Sequence, residues 1–414
     1  MRIIHTSDWH LGQNFYGKTR AAEHKQFLAW LLKQITEQNV DAVVVAGDIF
    51  DTGSPPSYAR ELYFDFIVEL HQLECQLVIL AGNHDSVAML GESKQLLNSL
   101  STKVIPAVTE NIDEQVFYLN DKNGQPKCVI CAIPFIRPRD ITKSLSGQSA
   151  VDKQQSLQQA ISDHYQHLFE HAQQLASRLT DKPCPIIATG HLTAVGVTIS
   201  ESVREIYIGT LDAFPANAFP KADYIALGHI HRAQKVAKSE HIRYSGSPIP
   251  LSFDEAKQNK VVVMVDFTTN ETQISELAIP CFQPMAMVKT QLDSIDIDVK
   301  CAVAALNEGE ILWLDIEIDS AQYLDNLTSR IEQLIEAYPV DILLVRRSKS
   351  SREAMPMSQK KITLNELTLT DVFDTRLEQE SWQSEQELAR KSRLTQLFKQ
   401  ATEQVQDGTL DIER

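Results

Sequence analysis

Short, nearly unbroken apolar runs alternate with amphipathic stretches through the first half of the chain. RIIHTS is followed by a helical pattern over 20–38, DAVVVAGDIF by another over 56–73, and then comes QLVILAGNHDS. A strand that is apolar at every position is covered on both faces, which is the situation of parallel strands joined by crossover helices. CVICAIPF, PIIATGHLT, YIALGHIH and KVVVMVDF continue the series to about residue 279, with a Gln-rich helix over 151–179 between two of them. The expectation is an α/β domain over 1–279 with a largely parallel sheet.

The two prolines of AIPCFQPMA mark a boundary, and a smaller pattern follows. EILWLDIEID alternates apolar and acidic residues as a half-exposed strand does, 321–338 has helical spacing, and DILLVRRS is a further strand, so an α+β domain is expected over 281–350. The polar stretch SKSSREAMPMSQKK then links to helical segments near 363–376 and 378–406, within a third region, 351–414. There Leu377, Trp382, Leu388, Leu394, Leu397, Phe398 and Val405 offer apolar surface without a core of their own.

Charge limits the partners. With 39 Lys and Arg against 55 Asp and Glu, the formal net charge is −16, which opposes long-range attraction to nucleic acid. A polyanionic substrate would need metal ions, local basic patches or a partner. No run approaches the roughly 20 apolar residues of a membrane span, and MRIIHTSDWH lacks a secretory apolar region, so a cytoplasmic location is expected. Six scattered cysteines form no disulfide framework, and Cys128 and Cys131, three apart on a strand, should face opposite sides as buried thiols.

Sites in open α/β sheets form at the carboxyl ends of strands, and polar residues collect there. Asp8-Trp9-His10 follows the first strand, Gly47-Asp48 the second with Asp51 beyond, and Gly82-Asn83-His84-Asp85 the third; later strands end in Gly190-His191 and Gly228-His229-Ile230-His231. Each has an ordinary explanation alone, as a cap, a turn former or a loop residue. Five coincidences at equivalent positions do not, whereas one metal site explains them all. A donor set of His, Asp and Asn without Cys suits Mn²⁺, Fe²⁺ or Zn²⁺ with open positions, and seven donors exceed the needs of one ion. Two ions bridged by a carboxylate, a centre suited to phosphoester hydrolysis, is the economical reading.

Asp8-x-His10, Gly47-Asp48, Gly82-Asn83-His84-Asp85, Gly190-His191 and Gly228-His229-x-His231 follow, in order, the motifs of the calcineurin-like metallophosphoesterase superfamily, which the chain resembles over about 1–250. HTSDWHLG, AGDIFDTGSPPSYAR, LAGNHDS, IYIGTLDAFP and YIALGHIHRAQ are similar, more narrowly, to the nuclease subunits of SbcCD-type complexes, and this likeness continues through the smaller domain and tail. The resemblance implies a layered β-sandwich flanked by helices, an α+β domain capping the site, and C-terminal helices that bind an SbcC-like coiled-coil ATPase. It implies two divalent ions, Mn²⁺ foremost, with Asp8, His10 and His231 on one, Asn83, His191 and His229 on the other, and Asp48 bridging. His84 would give a proton to the leaving oxygen, oriented by Asp85. The implied activity is DNA phosphodiester hydrolysis at ends and hairpins, 3'-5' on double strands and endonucleolytic on single strands, in nucleoid-associated repair, recombination and replication. A homodimer within a heterotetramer is implied too, and SYARELYFDFIVEL is apolar enough to form its contact.

Lys18, Arg20, Arg137, Arg139 and Arg232 lie near the strand ends and are candidate phosphate contacts, which position DNA without reading its sequence. Asp51 falls outside the shared ligand set and reads as a loop carboxylate or one behind the ligands. His164, His167 and His171 share a helical spacing and read as a solvated face; His5, His24, His71 and His241 have no supporting context. Two rival functions remain open: a phosphoesterase of the same fold acting on nucleotides or phosphoproteins, and a scaffold without catalysis.

Overall fold

The computed structural model describes residues 1–141, 150–179, 184–203, 213–267, 271–319 and 327–348, with short helical pieces between 373 and 398. The chain divides into two compact units, Met1–Phe282 and Gln283–Arg414.

Two six-stranded sheets make up the first unit. One runs, edge to edge, Gln273–Ala278, Val261–Asp266, Arg2–Thr6, Ala42–Ala46, Gln76–Leu80 and Thr102–Ile105. Its last four strands are parallel and the first two antiparallel. The other runs Gln234–Lys235, Ile242–Tyr244, Tyr224–Gly228, Ile186–His191, Pro126–Cys131 and Val116–Asn120, parallel in the centre and antiparallel at both edges.

The inner faces share one core, where Ile3, Val44, Ala46 and Leu80 of the first sheet join Cys128, Ile130, Ile187 and Ala226 of the second. On the outer face of the first sheet, Ile4, Val43, Val45 and Ile79 pack with Phe27, Leu31, Tyr63 and Ile67 of helices Ala21–Glu37 and Ser57–Gln72. Val129, Cys131, Ala188 and Ile225 do the same on the second sheet with Ile161, Tyr165 and Leu168 of helix Ala150–Ala176. Neighbours such as Val44 and Val45 thus serve different layers and are both buried, which is why the strands read as unbroken apolar runs. Each such side chain contributes about 1.5–3 kcal/mol on burial. Cys128 faces the inner core and Cys131 the helical layer, both as free buried thiols, as their spacing requires.

In the second unit, strands Met285–Thr290, Leu312–Ile318 and Val340–Arg347 form a parallel sheet in that order. Helices Ile295–Val303 and Leu327–Ile335 cover it, with Val299, Ile331 and Ile335 packed on Leu314 and Ile316. The strand over 285–290 and the helix over 295–303 are absent from the sequence expectations. IDIDV alternates with a period of two, yet it is helical: Ile295 and Val299 point inward while Ile297 is 64% exposed. Packing by four-residue spacing overrides the strand-like alternation there. The tail segments expected near 363–376 and 378–406 lie mostly outside the described residues; among those described, the Phe373 and Phe398 rings stack at 3.9 Å. No helix among the described residues is long and apolar enough to cross a membrane.

Candidate metal centre

Strands of both sheets end on one rim. Asp8, Asp48 and Asn83 follow adjacent strands of the first sheet, while His191, His229 and His231 stand at the ends of adjacent strands of the second. Main-chain bonds lock the ends together: Asp8 N–H donates to the Gly47 carbonyl at 2.9 Å and His10 N–H to the Asp48 carbonyl at 3.1 Å. Side chains do the same across the sheets, since Asp8 Oδ1 accepts from His229 N–H at 2.9 Å and His191 Nδ1 lies 2.9 Å from the Ala46 carbonyl oxygen.

This close approach has a backbone cost. Asp8, His10, Asp48 and His229 all have positive φ, at 53°, 47°, 52° and 94°, a region that non-glycine residues seldom occupy. Such strain persists only where surrounding contacts over-determine it, and here it aims the functional side chains. Gly228 shows the same crowding, because a Cβ at that position would collide with the Ala46 carbonyl oxygen.

Three overlapping groups of ligand atoms result: Asp8, His10 and His231; His10, Asp48 and His84; and Asp48, His191 and His229, the atoms of each group lying within 4.8 Å of one another. Asn83 joins the last, its Oδ1 at 2.9 Å from His191 Nε2 and 3.1 Å from His229 Nδ1. The side-chain partners fix several tautomers. His191 Nδ1 must donate to the Ala46 carbonyl and His10 Nδ1 to Asp51 Oδ1 at 3.1 Å, because those oxygens only accept. Each ring then turns Nε2 toward Asp48 Oδ2, at 3.2 Å for His191 and 3.6 Å for His10. His10 Nε2 and His229 Nε2 are buried without a hydrogen-bond partner. Two buried imidazole nitrogens without a partner, one of them 3.6 Å from a carboxylate oxygen, are what a bound cation would satisfy, so the donor set fits divalent ions.

Electrostatics express the same demand. Burial opposes charge on His191, but the adjacent Asp48 carboxylate prevails and raises its pKa to about 9. Burial likewise opposes charge on Asp48, and His191, His84 and His10 nonetheless hold it well below the usual carboxylate range. His229 is pushed well below its ordinary value by burial and by the neighbouring His191.

His84 is half-buried, its N–H donates to Asp48 Oδ1 at 2.9 Å, and its ring lies edge-on to His10 at 4.6 Å. The sequence expectation for Asp85 is corrected. Its carboxylate accepts from the main-chain N–H groups of Ile49, Phe50 and Gly82, at 3.1, 3.0 and 2.8 Å, and so staples two strand ends. His84 Nδ1 instead lies 2.7 Å from the main-chain carbonyl oxygen of Asp51, which helps to hold the ring. Asp51 thus holds both His10 and His84, as a carboxylate behind the ligands; the signal for it was its place just past the second strand end.

Arg20 is a second correction. Its side chain is wholly buried, forked onto Glu23 and donating to the Pro250 carbonyl at 2.9 Å, so it braces the site loop and cannot reach a phosphate. Arg137 is half-buried, with its guanidinium 3.3 Å from the Asp85 carbonyl oxygen. Lys18 is partly exposed, and Arg139 and Arg232 are exposed. His164 departs from the expected solvated face: it borders a cavity of about 530 Å³ with Asp140 and His167, and burial lowers its pKa to about 4. His5 and His24, which had no context in sequence, are fully buried.

Sequence reasoning missed Glu255. It is buried beside Lys260 and reaches His231 through Ser202, and although burial would raise its pKa, the Lys260 ammonium holds it well below the usual range. No periodicity or motif marks it, since only the folded chain brings residue 255 behind His231.

Two mixed sheets between helical layers, with His, Asp and Asn gathered on one rim, define a dimetal phosphoesterase. Residues 1–233 match the family described as calcineurin-like phosphoesterase, and the chain belongs to that family. Residues 281–381 match the family described as Type 5 capsule protein repressor C-terminal domain. The chain is 51% identical over 399 residues to the SbcD subunit of nuclease SbcCD from Escherichia coli (strain K12), covering 96% of this chain and 97% of that one. It is 29% identical over 372 residues to the protein of that name from Rhodobacter capsulatus, covering 86% and 89% of the two chains. The Bacillus subtilis (strain 168) protein of that name is 29% identical over 349 residues, covering 82% and 84%. Both levels of resemblance drawn from the strand-end motifs are borne out.

Proposed function

We propose that the chain is the nuclease subunit of an SbcCD-like complex, a metal-dependent hydrolase that cuts DNA phosphodiesters at ends and hairpins. The observation that carries this reading is the meeting of two buried groups, Asp8, His10 and His231 with Asp48, His191 and His229, where His10 Nε2 lies 3.6 Å from Asp48 Oδ2, a design for two ions sharing one carboxylate. Asp8, His10 and His231 would hold one ion and Asn83, His191 and His229 the other, with Asp48 shared between them; the donor set accepts Mn²⁺, Fe²⁺ or Zn²⁺, and the family resemblance favours Mn²⁺.

Bound divalent ions supply charge neutralisation of the phosphodiester and activation of the attacking water. The chain supplies the rest. His84 donates Nδ1–H to the Asp51 carbonyl, so the proton for the leaving oxygen comes from the imidazolium form, whose Nε2–H is given up as the ring becomes neutral. Lys18, Arg137, Arg139 and Arg232 contact backbone phosphates and position the strand.

The regions beyond the first unit extend the same reading. Residues 281–350 help orient DNA, and 351–414 dock on a coiled-coil ATPase of the SbcC kind through their apolar side chains. Two copies meet along helix Ser57–Gln72, where Phe64 and Val68, one turn apart, are 37% and 45% exposed. With a net charge of −16, the ATPase supplies attraction that this chain lacks.

The test is cleavage of a DNA hairpin by the purified chain with Mn²⁺, with and without its ATPase partner, beside a panel of nucleotides and a phosphopeptide. Hairpin cutting that the partner enhances and chelator abolishes supports the reading. Turnover confined to the small substrates, or no turnover with the partner present, overturns it.

A further inference from the structure

We propose that Glu255, acting through Ser202, fixes which nitrogen of His231 carries the proton and thereby sets the affinity of the Asp8, His10 and His231 ion site. The inference rests on the dimetal reading above and adds a positioning residue to it.

Proton counting carries the argument. Ser202 Oγ lies 2.5 Å from His231 Nδ1 and also contacts Glu255 Oε1. A carboxylate only accepts, and a hydroxyl has one proton to give. Glu255 is committed as an acceptor on both oxygens. Oε1 takes Ser200 Oγ–H at 2.8 Å as well as Ser202, while Oε2 takes Lys260 Nζ at 2.5 Å and Leu251 N–H at 3.1 Å. Lys260 has no proton to spare for another arrangement, since it also donates to the His231 carbonyl at 3.0 Å and to Ser247 Oγ at 2.8 Å.

The Ser202 proton therefore points to Glu255, and Ser202 Oγ must accept from His231 Nδ1–H. With Nδ1 protonated, the lone pair resides on Nε2, the form a metal-ligating histidine requires. The reverse polarity would set the Ser202 lone pairs against a carboxylate. Without the serine, Glu255 Oε1 stands 3.5 Å from Nδ1, too far for a good direct bond, so the hydroxyl completes the relay.

Ser202 is brought to this place by a clamped segment. Thr198 exchanges two 2.8 Å bonds with the Gln234 carboxamide, Glu201 N–H donates to Asp254 Oδ2 at 3.2 Å, and Ser200 is buried against Glu255. Seating of 198–202 and ion binding at His231 are thereby coupled, and each favours the other by the same factor.

Glu255→Gln reverses the polarity: the amide oxygen takes the Lys260 side, the amide nitrogen faces Ser202, and the hydroxyl is driven to donate to His231. Mn²⁺ titration of the full chain by calorimetry and by electron paramagnetic resonance should show two ions in the wild type. In Glu255→Gln, one of the two sites weakens by roughly 10–100-fold. Ser202→Ala loses less, and Ser202→Thr, which keeps the hydroxyl, binds as the wild type does. A Glu255→Gln chain that melts cooperatively and binds both ions with wild-type affinity overturns the inference. A wild type that binds no Mn²⁺ overturns the dimetal reading itself. Should Glu255→Gln not fold, ¹⁵N-histidine spectra of the metal-free wild type decide, with His231 assigned by its loss in His231→Asn: an Nδ1–H tautomer supports the relay, and an Nε2–H tautomer overturns it.

Discussion

Asp48 meets His10, His84 and His191 at once, and the neighbouring Asp51 turns two of those rings through its carboxylate and its carbonyl. The site is thus organised by a pair of carboxylates with different tasks, one among the ligand atoms and one behind them. On the proposed role of His84, held at Nδ1 beside the ligand atoms, His84→Gln should retain two Mn²⁺ ions while kcat falls by roughly 10²-fold or more, measured by calorimetry and hairpin cleavage. Asp85 is a matter of stability. Asp85→Ala strands three buried N–H groups and should cost about 3–5 kcal/mol, measured by denaturant unfolding. Buried histidines add an acid sensitivity of definite sign. Burial lowers His5 and His24 from 6.5 to about 3, the latter helped by the Arg20 charge. Between those values the unfolded chain binds protons that the native state excludes, so their stabilisation is complete above pH 6.5 and is lost as pH falls toward 3. Each group contributes a slope of about 1.4 kcal/mol per pH unit in that window, and His5→Gln should remove its share in urea titrations at pH 7.5 and 5.5.

At the scale of elements, the strand pairs of the two sheets place the ligands, and the sheets must nearly touch at their carboxyl ends to do so. Gly228 makes this possible, because its missing side chain admits the Ala46 carbonyl. Gly228→Ala should therefore force the two strand ends apart, lowering the melting temperature and weakening Mn²⁺ binding together, with a stability loss of about 1–3 kcal/mol. The buried strands and amphipathic helices of the first unit were legible in sequence because burial on both faces leaves apolar residues at every position. Sheet partnership was not legible in those runs, which suggested only a largely parallel sheet; the layered β-sandwich came from the motif resemblance, and the two mixed sheets bear it out. Apolar runs record that a strand is covered, not whether its cover is a helix or another sheet. Helix Ile295–Val303 was hidden for a related reason, since its alternating sequence has strand periodicity and only its contacts select the helix.

For the molecule as a whole, metal binding and folding should be linked, because the ligands come from both sheets. Chelation by EDTA should abolish phosphodiester cleavage and lower the melting temperature, and Mn²⁺ should restore both; at 100 times Kd the ion adds about 2.7 kcal/mol, readable in a thermal scan. Removal of 351–414 should leave Mn²⁺ stoichiometry at the rim unchanged while association with the ATPase partner is lost, measured by co-sedimentation. Each unit has its own buried core, so the two effects separate.

The amino-acid sequence alone determined the kind of chemistry: five strand ends carrying Asp, Asn and His in a fixed order pointed to a candidate metal-binding rim, because strand-end positions are local features of the chain. Tertiary structure alone decided the rest. It gave Asp85 to main-chain amides, sealed Arg20 against Glu23, set Asp51 behind His10 and His84, and brought Glu255 to His231 through Ser202. Those roles depend on which groups meet across the sandwich and which are shut away from water, and neither is written in the spacing of residues along a chain.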